Sequence, residues 1–139
     1  MEESSKADQL NALCKNSLIE NLGIEFLSAR EGEVIARMPV DSRTMQPFKL
    51  LHGGASLALA ETVASAGSAM LVDLSNSAVV GSEVNGNHVG SAKGGFVVAT
   101  AQIVHKGERT HVWSVEILDE SGRKIMIGRV TVMVVEKKR

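Results

Sequence analysis

Hydrophobic and polar residues alternate along parts of this chain with a period of two, and these parts predict its strands. Polarity alternates over residues 24–29 and 33–40, and Glu31-Gly32 between them is a turn signal, so the two segments predict a hairpin. Four long segments rich in Val and Ile predict further strands over residues 78–89, 94–105, 110–118 and 124–135. The turn-like separators between these segments favour antiparallel pairing.

Two other segments show helical spacing instead. Leu10, Leu13, Leu18 and Ile19 recur at roughly helical intervals over residues 5–21, with Gly23 just past the end, so this segment predicts a helix that caps an opening. A second helix is predicted from near His52 to about residue 70, because this stretch holds mainly small and apolar residues.

Six strands with one long helix between the second and the third predict an α+β fold, in which a curved antiparallel sheet wraps around that central helix. We expect an N-terminal helical segment over residues 1–22 and a single domain over residues 23–139. Such a sheet leaves its edges exposed, and pairing two copies of the chain would cover them.

Composition narrows the class of protein. The chain has 139 residues, a formal net charge of -1, three Phe and one Trp, which does not support a nucleic-acid-binding platform. No apolar run approaches the roughly 20 residues that a membrane span requires, and the polar start does not resemble a secretory signal. A single cysteine, Cys14, excludes an intrachain disulfide. We therefore expect a cytoplasmic protein that binds neither nucleic acid nor membranes.

Glu61 is the one charged residue between Gly53 and Met70, in a helix that we expect to be surrounded by protein on most sides. An ionised carboxylate in such surroundings is costly unless it is hydrogen-bonded, so Glu61 is a candidate reactive group. A structural carboxylate, satisfied by Thr62, Ser65 or a backbone amide, is the alternative.

The motif around this helix carries a family resemblance. Gln46, the run His52-Gly53-Gly54, Glu61 and Ser65, followed by Val-Asn-Gly-Asn-His at 84–88, resemble the hotdog-fold acyl-CoA thioesterases. Within them the chain is most similar to the branch of the 4-hydroxybenzoyl-CoA thioesterase that uses a helix Glu and of the 1,4-dihydroxy-2-naphthoyl-CoA thioesterases of menaquinone synthesis. The resemblance implies a hotdog fold, a homotetramer built as a dimer of dimers, and no metal or prosthetic group.

The resemblance also implies roles for single residues. The backbone N–H of Gly53 would polarise the thioester carbonyl, which agrees with the free N–H groups that any helix start presents. Gln46 would place the substrate or water, and His52 would shape the loop and help to position the thioester. Ser65, one helical turn after Glu61, would orient the carboxylate or the attacking water.

Coenzyme A is assigned to two further groups of residues. The matched run implies that Asn87 and His88 contact it, and related enzymes place nucleotide contacts in the loop that here contains Lys106 and Arg109. A solvated turn is the alternative for these two cations.

Helix geometry adds a conclusion about assembly. Gly53 and Glu61 are eight residues apart, which is about 12 Å along a helix at 1.5 Å per residue. Both cannot reach one carbonyl carbon from the same helix. If both act on it, each active site must be shared between two subunits.

Three functions fit the sequence. Hydrolysis of a compact aromatic acyl-CoA, specifically 1,4-dihydroxy-2-naphthoyl-CoA, is preferred, since a pocket lined by the small-residue helix and by Val and Met would accept a flat ring. A hotdog enoyl-CoA hydratase is an alternative, although that chemistry typically pairs an Asp with a His. A non-catalytic acyl-CoA-binding protein is the third. The histidines show no metal-ligand spacing.

Overall fold

Residues 5–138, which the computed structural model describes, form three helices and six strands. The helices are α1 (Lys6–Leu13), α2 (Leu18–Asn21) and α3 (Gly53–Ala69); the strands are β1 (Glu25–Arg30), β2 (Glu33–Pro39), β3 (Ser77–His88), β4 (Phe96–Lys106), β5 (Thr110–Asp119) and β6 (Lys124–Glu136). All strands form one antiparallel sheet in the order β1-β2-β4-β5-β6-β3. This architecture confirms the predicted α+β class, and the six predicted strands match the observed ones to within two residues.

The central helix α3 packs its apolar side against the sheet. Leu59 and Val63 of α3 are fully buried, as are Trp113 and Ile117 of β5, and they belong to one hydrophobic core. Gly67 allows the close approach, because a Cβ atom there would collide with the indole ring of Trp113. The less buried side of α3 carries Glu61 and Ser65.

The predicted single helix over residues 5–21 is wrong. The chain instead forms α1 and α2, and Asn16 between them adopts a left-handed conformation with φ of 63°. Asn tolerates this conformation better than most residues, so it allows the reversal that the spacing of leucines did not reveal. The N-terminal segment is predicted over residues 1–22, and its first four residues lie outside the described part of the chain.

Both edges of the sheet are single strands with one neighbour each. β1 pairs only with β2, and the twelve-residue β3 pairs only with β6. β3 is largely exposed, and the side chain of Val80 on it is 47% exposed. Within residues 5–138, no helix combines the length and the apolar composition needed to cross a membrane.

Candidate active site

The first turn of α3 presents an unused backbone donor. His52 is the N-cap, and its Nδ1 accepts a hydrogen bond of 2.7 Å from the N–H of Gly54. The N–H of Ala55 donates to the carbonyl of His52 at 3.0 Å. Among the described residues, the N–H of Gly53 has no acceptor, so it remains free at the positive end of the helix. It has the properties required of an oxyanion-hole donor.

Gly53 also lies against the ring of His88. A Cβ atom at this position would be 2.9 Å from Nε2 of His88, so a larger residue would force the ring away. Together with Gln46, both residues line a cleft of about 480 Å³. We call this opening the Gly53 cleft. The structure thus brings three of the predicted site residues together around the free N–H.

The position of Gln46 is fixed by a tight turn. Its backbone N–H donates to the carbonyl of Leu50 at 2.8 Å, and its carbonyl accepts from Lys49 at 3.0 Å. Lys49 adopts a left-handed conformation with φ of 64°. The side-chain Oε1 of Gln46 accepts a hydrogen bond from the backbone N–H of Phe48. This bond leaves the amide nitrogen of Gln46 as the group that is available as a donor to the cleft.

Glu61 lies about two turns further along the same helix, in a second opening. Its carboxylate packs over Gly81 of β3, where a Cβ atom would be 2.7 Å from Oε2. Glu61 and Ser65 line a separate cleft of about 480 Å³ between α3 and the N-terminal helices, which we call the Glu61 cleft.

The alternative of a structural carboxylate finds no support in the contacts of Glu61. The hydroxyl of Thr62 donates instead to the backbone carbonyl of Ala58 at 2.7 Å. Neither Ser65 nor any other residue within 5–138 forms a hydrogen bond or an ion pair with the Glu61 carboxylate. Its oxygen atoms are therefore available to a water molecule or a substrate.

Glu61 is exposed in the single chain, although most of α3 is buried or half-buried as expected. One expectation about this region is wrong. The Glu61 cleft is not lined by Val and Met. Besides α3, its walls are apolar side chains of the N-terminal segment and of β1: Leu10, Cys14, Leu18, Ile19, Leu22 and Phe26.

The predicted site is therefore divided into two halves. The free N–H of Gly53 and the side chains of Gln46 and His88 border one cleft, whereas Glu61 and Ser65 border another. Within one chain, no atom can touch the Gly53 N–H and the Glu61 carboxylate together. This separation agrees with the estimate of about 12 Å along the helix.

The residues predicted to contact coenzyme A are also divided. His88, at the end of β3, pairs with Met126, whereas the carbonyl of Arg109 accepts from the N–H of Val134 at 2.8 Å. Met126 and Val134 are eight residues apart on β6, which corresponds to roughly 26 Å. Lys106 and Arg109 thus lie at the Glu61 end of the sheet, and exposed Asn87 and His88 lie at the Gly53 end.

Sequence reasoning missed a buried polar group behind the helix. Trp113 Nε1–H donates to Ser68 Oγ at 2.8 Å, and Ser68 Oγ lies 2.8 Å from Nδ1 of His111. Burial, and secondarily the charges of Lys106 and His105, lowers the pKa of His111. This group joins α3 to β5 and has no access to either cleft, and nothing in the spacing along the chain could have indicated it.

Gly81 is a second residue that sequence reasoning left without a role. It stands three residues before the Val-Asn-Gly-Asn-His run at 84–88, but only the packing of Glu61 reveals why glycine is needed there. Metal chemistry was not predicted, and among residues 5–138 no group of three or more His, Cys, Asp or Glu side chains converges on one point.

Comparison with known proteins shows which family this chain resembles. The family model described as the thioesterase superfamily matches residues 48–126, and this range includes all of α3. The 1,4-dihydroxy-2-naphthoyl-CoA hydrolase of Escherichia coli is 43% identical over 124 residues, covering 89% of this chain and 90% of the relative. ComA2 of Bacillus subtilis, named only as a candidate esterase, is 50% identical over 123 residues, covering 88% and 98%.

A solved structure gives the same result for the fold. A mutant thioesterase from Pseudomonas aeruginosa superposes with a TM-score of 0.93 at 43% sequence identity, covering 98% of each chain. The sheet wrapped around one helix is thus the hotdog fold. That helix carries a free N–H at its start and an unpaired carboxylate further along. These matches show that the chain belongs to the thioesterase superfamily and that the enzyme is a thioester hydrolase.

Proposed function

We propose that this enzyme hydrolyses an aromatic acyl-CoA, specifically 1,4-dihydroxy-2-naphthoyl-CoA, at active sites shared between two subunits. One observation carries the shared site: the free N–H of Gly53 and the unpaired carboxylate of Glu61 open into different clefts of one chain. A twofold arrangement with antiparallel α3 helices would bring the Gly53 cleft of one subunit against the Glu61 cleft of the next, twice in each dimer.

In this arrangement, the thioester carbonyl oxygen accepts a hydrogen bond from the Gly53 N–H, which stabilises the negative charge that develops on it. The carboxylate of Glu61 from the other subunit either removes a proton from an attacking water or attacks the carbonyl carbon itself. In the second route the carbon–sulfur bond breaks to leave a mixed anhydride, and water then cleaves this anhydride to release the acid and restore Glu61. Gln46 donates from its amide nitrogen to the substrate or to water. Ser65 orients the attacking water, and coenzyme A thiolate leaves.

The same arrangement gives the cationic loop a role. Lys106 and Arg109 lie at the Glu61 end of their own chain, so they would approach coenzyme A that is bound at the Gly53 end of the partner subunit, beside Asn87 and His88. Their charges would then offset those of the phosphate groups. A homotetramer built from two such dimers, as the resemblance implies, remains a prediction.

The aromatic substrate rests on two arguments. Relatives from Escherichia coli and Listeria monocytogenes, 43% and 39% identical, bear the name 1,4-dihydroxy-2-naphthoyl-CoA hydrolase. The Glu61 cleft is bordered by apolar side chains except for groups of α3, and its volume of about 480 Å³ is within the usual range for small-molecule pockets, roughly 300–1,000 Å³. A role in menaquinone synthesis follows if this substrate is the physiological one.

A thioester panel tests the proposal. Release of free thiol is measured with 1,4-dihydroxy-2-naphthoyl-CoA, benzoyl-CoA, hexanoyl-CoA and palmitoyl-CoA, using the wild-type enzyme and Glu61→Gln. We expect kcat/KM to be higher for the aryl thioesters, and the Glu61→Gln variant to lose about 10²-fold or more in kcat with each substrate.

Three results would contradict the proposal. A preference for palmitoyl-CoA over both aryl thioesters would overturn the aromatic assignment. Tight binding of acyl-CoA without turnover by the wild-type protein would favour the acyl-CoA-binding alternative, and hydration of an enoyl-CoA with no thiol release would favour the hydratase.

A further inference from the structure

The Glu61 cleft has two unlike walls. Its polar side chains, Glu61, Thr62 and Ser65, all belong to α3. The facing wall consists mainly of apolar side chains of the N-terminal segment, and Leu18 there is 63% exposed. Together these side chains form an apolar surface that a ligand can cover.

The N-terminal helices are too short to hold this position by themselves. α1 has eight residues and α2 has four, whereas isolated helices shorter than about 12–15 residues are marginal in water. Their placement therefore depends on contacts with the rest of the domain.

One side chain supplies the main polar contact. Oδ1 of Asn11 accepts a hydrogen bond of 2.7 Å from the N–H of Phe26, and Nδ2 of Asn11 donates to the carbonyl of Phe26 at 3.0 Å. The amide thus binds the backbone of the edge strand β1 as a neighbouring strand would. The contact lies where the pairing of β1 with β2 is irregular, between Phe26 and Ser28. Since Phe26 itself lines the cleft, Asn11 fixes the distance between the apolar wall and its floor.

The direction of the substrate decides what this wall contacts. A carbonyl carbon within reach of Glu61 has the coenzyme A sulfur on one side and the acyl group on the other. Coenzyme A is assigned to the Gly53 end, so the acyl group extends into the Glu61 cleft. We propose, on the basis of the function proposed above, that α1 and α2 form a specificity-determining wall for the acyl group, and that Asn11 is the positioning residue that holds this wall.

The first test compares a bulky and a small acyl group. Asn11→Ala removes both hydrogen bonds, and we expect it to raise KM for benzoyl-CoA and lower kcat/KM about tenfold, while the values for acetyl-CoA change less than about twofold. Asn21→Ala is the matched control, because exposed Asn21 ends α2 without lining the cleft. If Asn11 had a purely structural role, the variant would lower kcat/KM equally for both substrates, and that result would overturn the proposal.

The second test uses the wild-type enzyme and does not depend on the folding of a variant. Cys14 lines the cleft and is the only cysteine, so N-ethylmaleimide reports on this wall alone. Burial raises the pKa of the Cys14 thiol, so alkylation is run at mildly alkaline pH. We expect benzoate, the product acid, to slow alkylation, and alkylated enzyme to lose activity toward benzoyl-CoA more than toward acetyl-CoA. Activity is followed by loss of thioester absorbance, since the reagent consumes thiols.

The outcomes separate the two proposals. If benzoate does not slow alkylation and the alkylated enzyme keeps its acyl preference while hydrolysis continues, the wall does not contact the acyl group, and only this inference fails. If the unmodified enzyme hydrolyses no thioester in the panel, the proposed function fails and the inference fails with it.

Discussion

The carboxylate of Glu61 rests on Gly81, which leaves no room for a side chain: a Cβ atom there would be 2.7 Å from Oε2 and 3.0 Å from the carboxyl carbon. A helix residue and an edge-strand residue thus define the position of the proposed reactive group together. Since the obstructing atoms are at the end of a flexible side chain, a larger residue at position 81 would displace the carboxylate rather than the backbone.

Gly81→Ala should therefore be folded but poorly active. We expect its thermal midpoint to stay within a few degrees of wild type and its kcat to fall about 10²-fold, the loss that a displacement of about 1 Å can cause in an oriented reactive group. Gly94→Ala is the control, because a Cβ atom at Gly94 has no neighbour within 4 Å. Activity of Gly81→Ala close to that of Gly94→Ala would show that the carboxylate position is not fixed by this contact.

His52 should act through its cap and not through contact with the substrate. His52→Ala removes the acceptor for the Gly54 N–H, and we expect it to cost about 1 kcal/mol in free energy of unfolding and to lower kcat by loosening the first turn. His52→Asn keeps a good N-cap, so it should recover both the stability and most of the activity. If His52→Asn is as inactive as His52→Ala while its stability is restored, the imidazole ring itself takes part in positioning the thioester.

The turn that carries Gln46 contains a strained residue. Lys49 has φ of 64°, which costs a residue with a Cβ atom about 1–2 kcal/mol. Glycine would relieve this cost, and its larger loss of backbone entropy on folding would offset part of the gain. Lys49→Gly should thus raise the free energy of unfolding by about 0.5–1 kcal/mol. Lys49→Ala keeps the strain and serves as the comparison in urea denaturation. Equal stability of the two variants would mean that the turn relaxes in solution.

The buried histidine predicts how stability depends on pH. Because the pKa of His111 is lowered in the folded state, the unfolded chain binds a proton there at pH values where the folded protein does not. The free energy of unfolding should therefore fall as the pH drops below about 6.5, the ordinary pKa of histidine, by up to about 1.4 kcal/mol for each pH unit. Denaturation of wild type and His111→Gln at several pH values measures the difference in their free energies of unfolding, which should vary with pH below about 6.5 and become constant above pH ~7.5. A difference that does not change with pH would contradict this account.

The sequence allowed much of the fold to be predicted, because strands are local patterns. Alternation from Glu33 and the Val-rich runs after Asn76 placed the strands well, and the single charge of α3 directed attention to Glu61. The break at Asn16 was missed, since a left-handed residue leaves no periodic signal. The lining of the Glu61 cleft was also wrong, because the bond between Asn11 and Phe26 joins residues fifteen positions apart.

The separation of Gly53 from Glu61 could be predicted because spacing along one helix decides it. The distance from Gly53 to Glu61 follows from helix geometry alone, and the two clefts agree with it. The contact between Gly81 and Glu61 depends on how β3 crosses α3, and no local pattern in the sequence encodes this crossing.

Mixed dimers test the shared active site most directly. Glu61→Gln lacks one half of each site, and the double variant Gln46→Ala/Gly53→Val lacks the other, so each homodimer should be nearly inactive. The two proteins are co-expressed with different tags, the mixed dimers are purified through both tags, and each parent is checked for folding by circular dichroism. In a mixed dimer, one site collects all the defects and the other is intact.

The account predicts that the purified mixed dimers have about half the kcat of the wild-type dimer, and that an unfractionated random mixture has about a quarter, because about half of its dimers are mixed. If verified mixed dimers of two folded parents remain as inactive as the parents, Glu61 and Gly53 do not meet across an interface, and the shared-site mechanism is wrong.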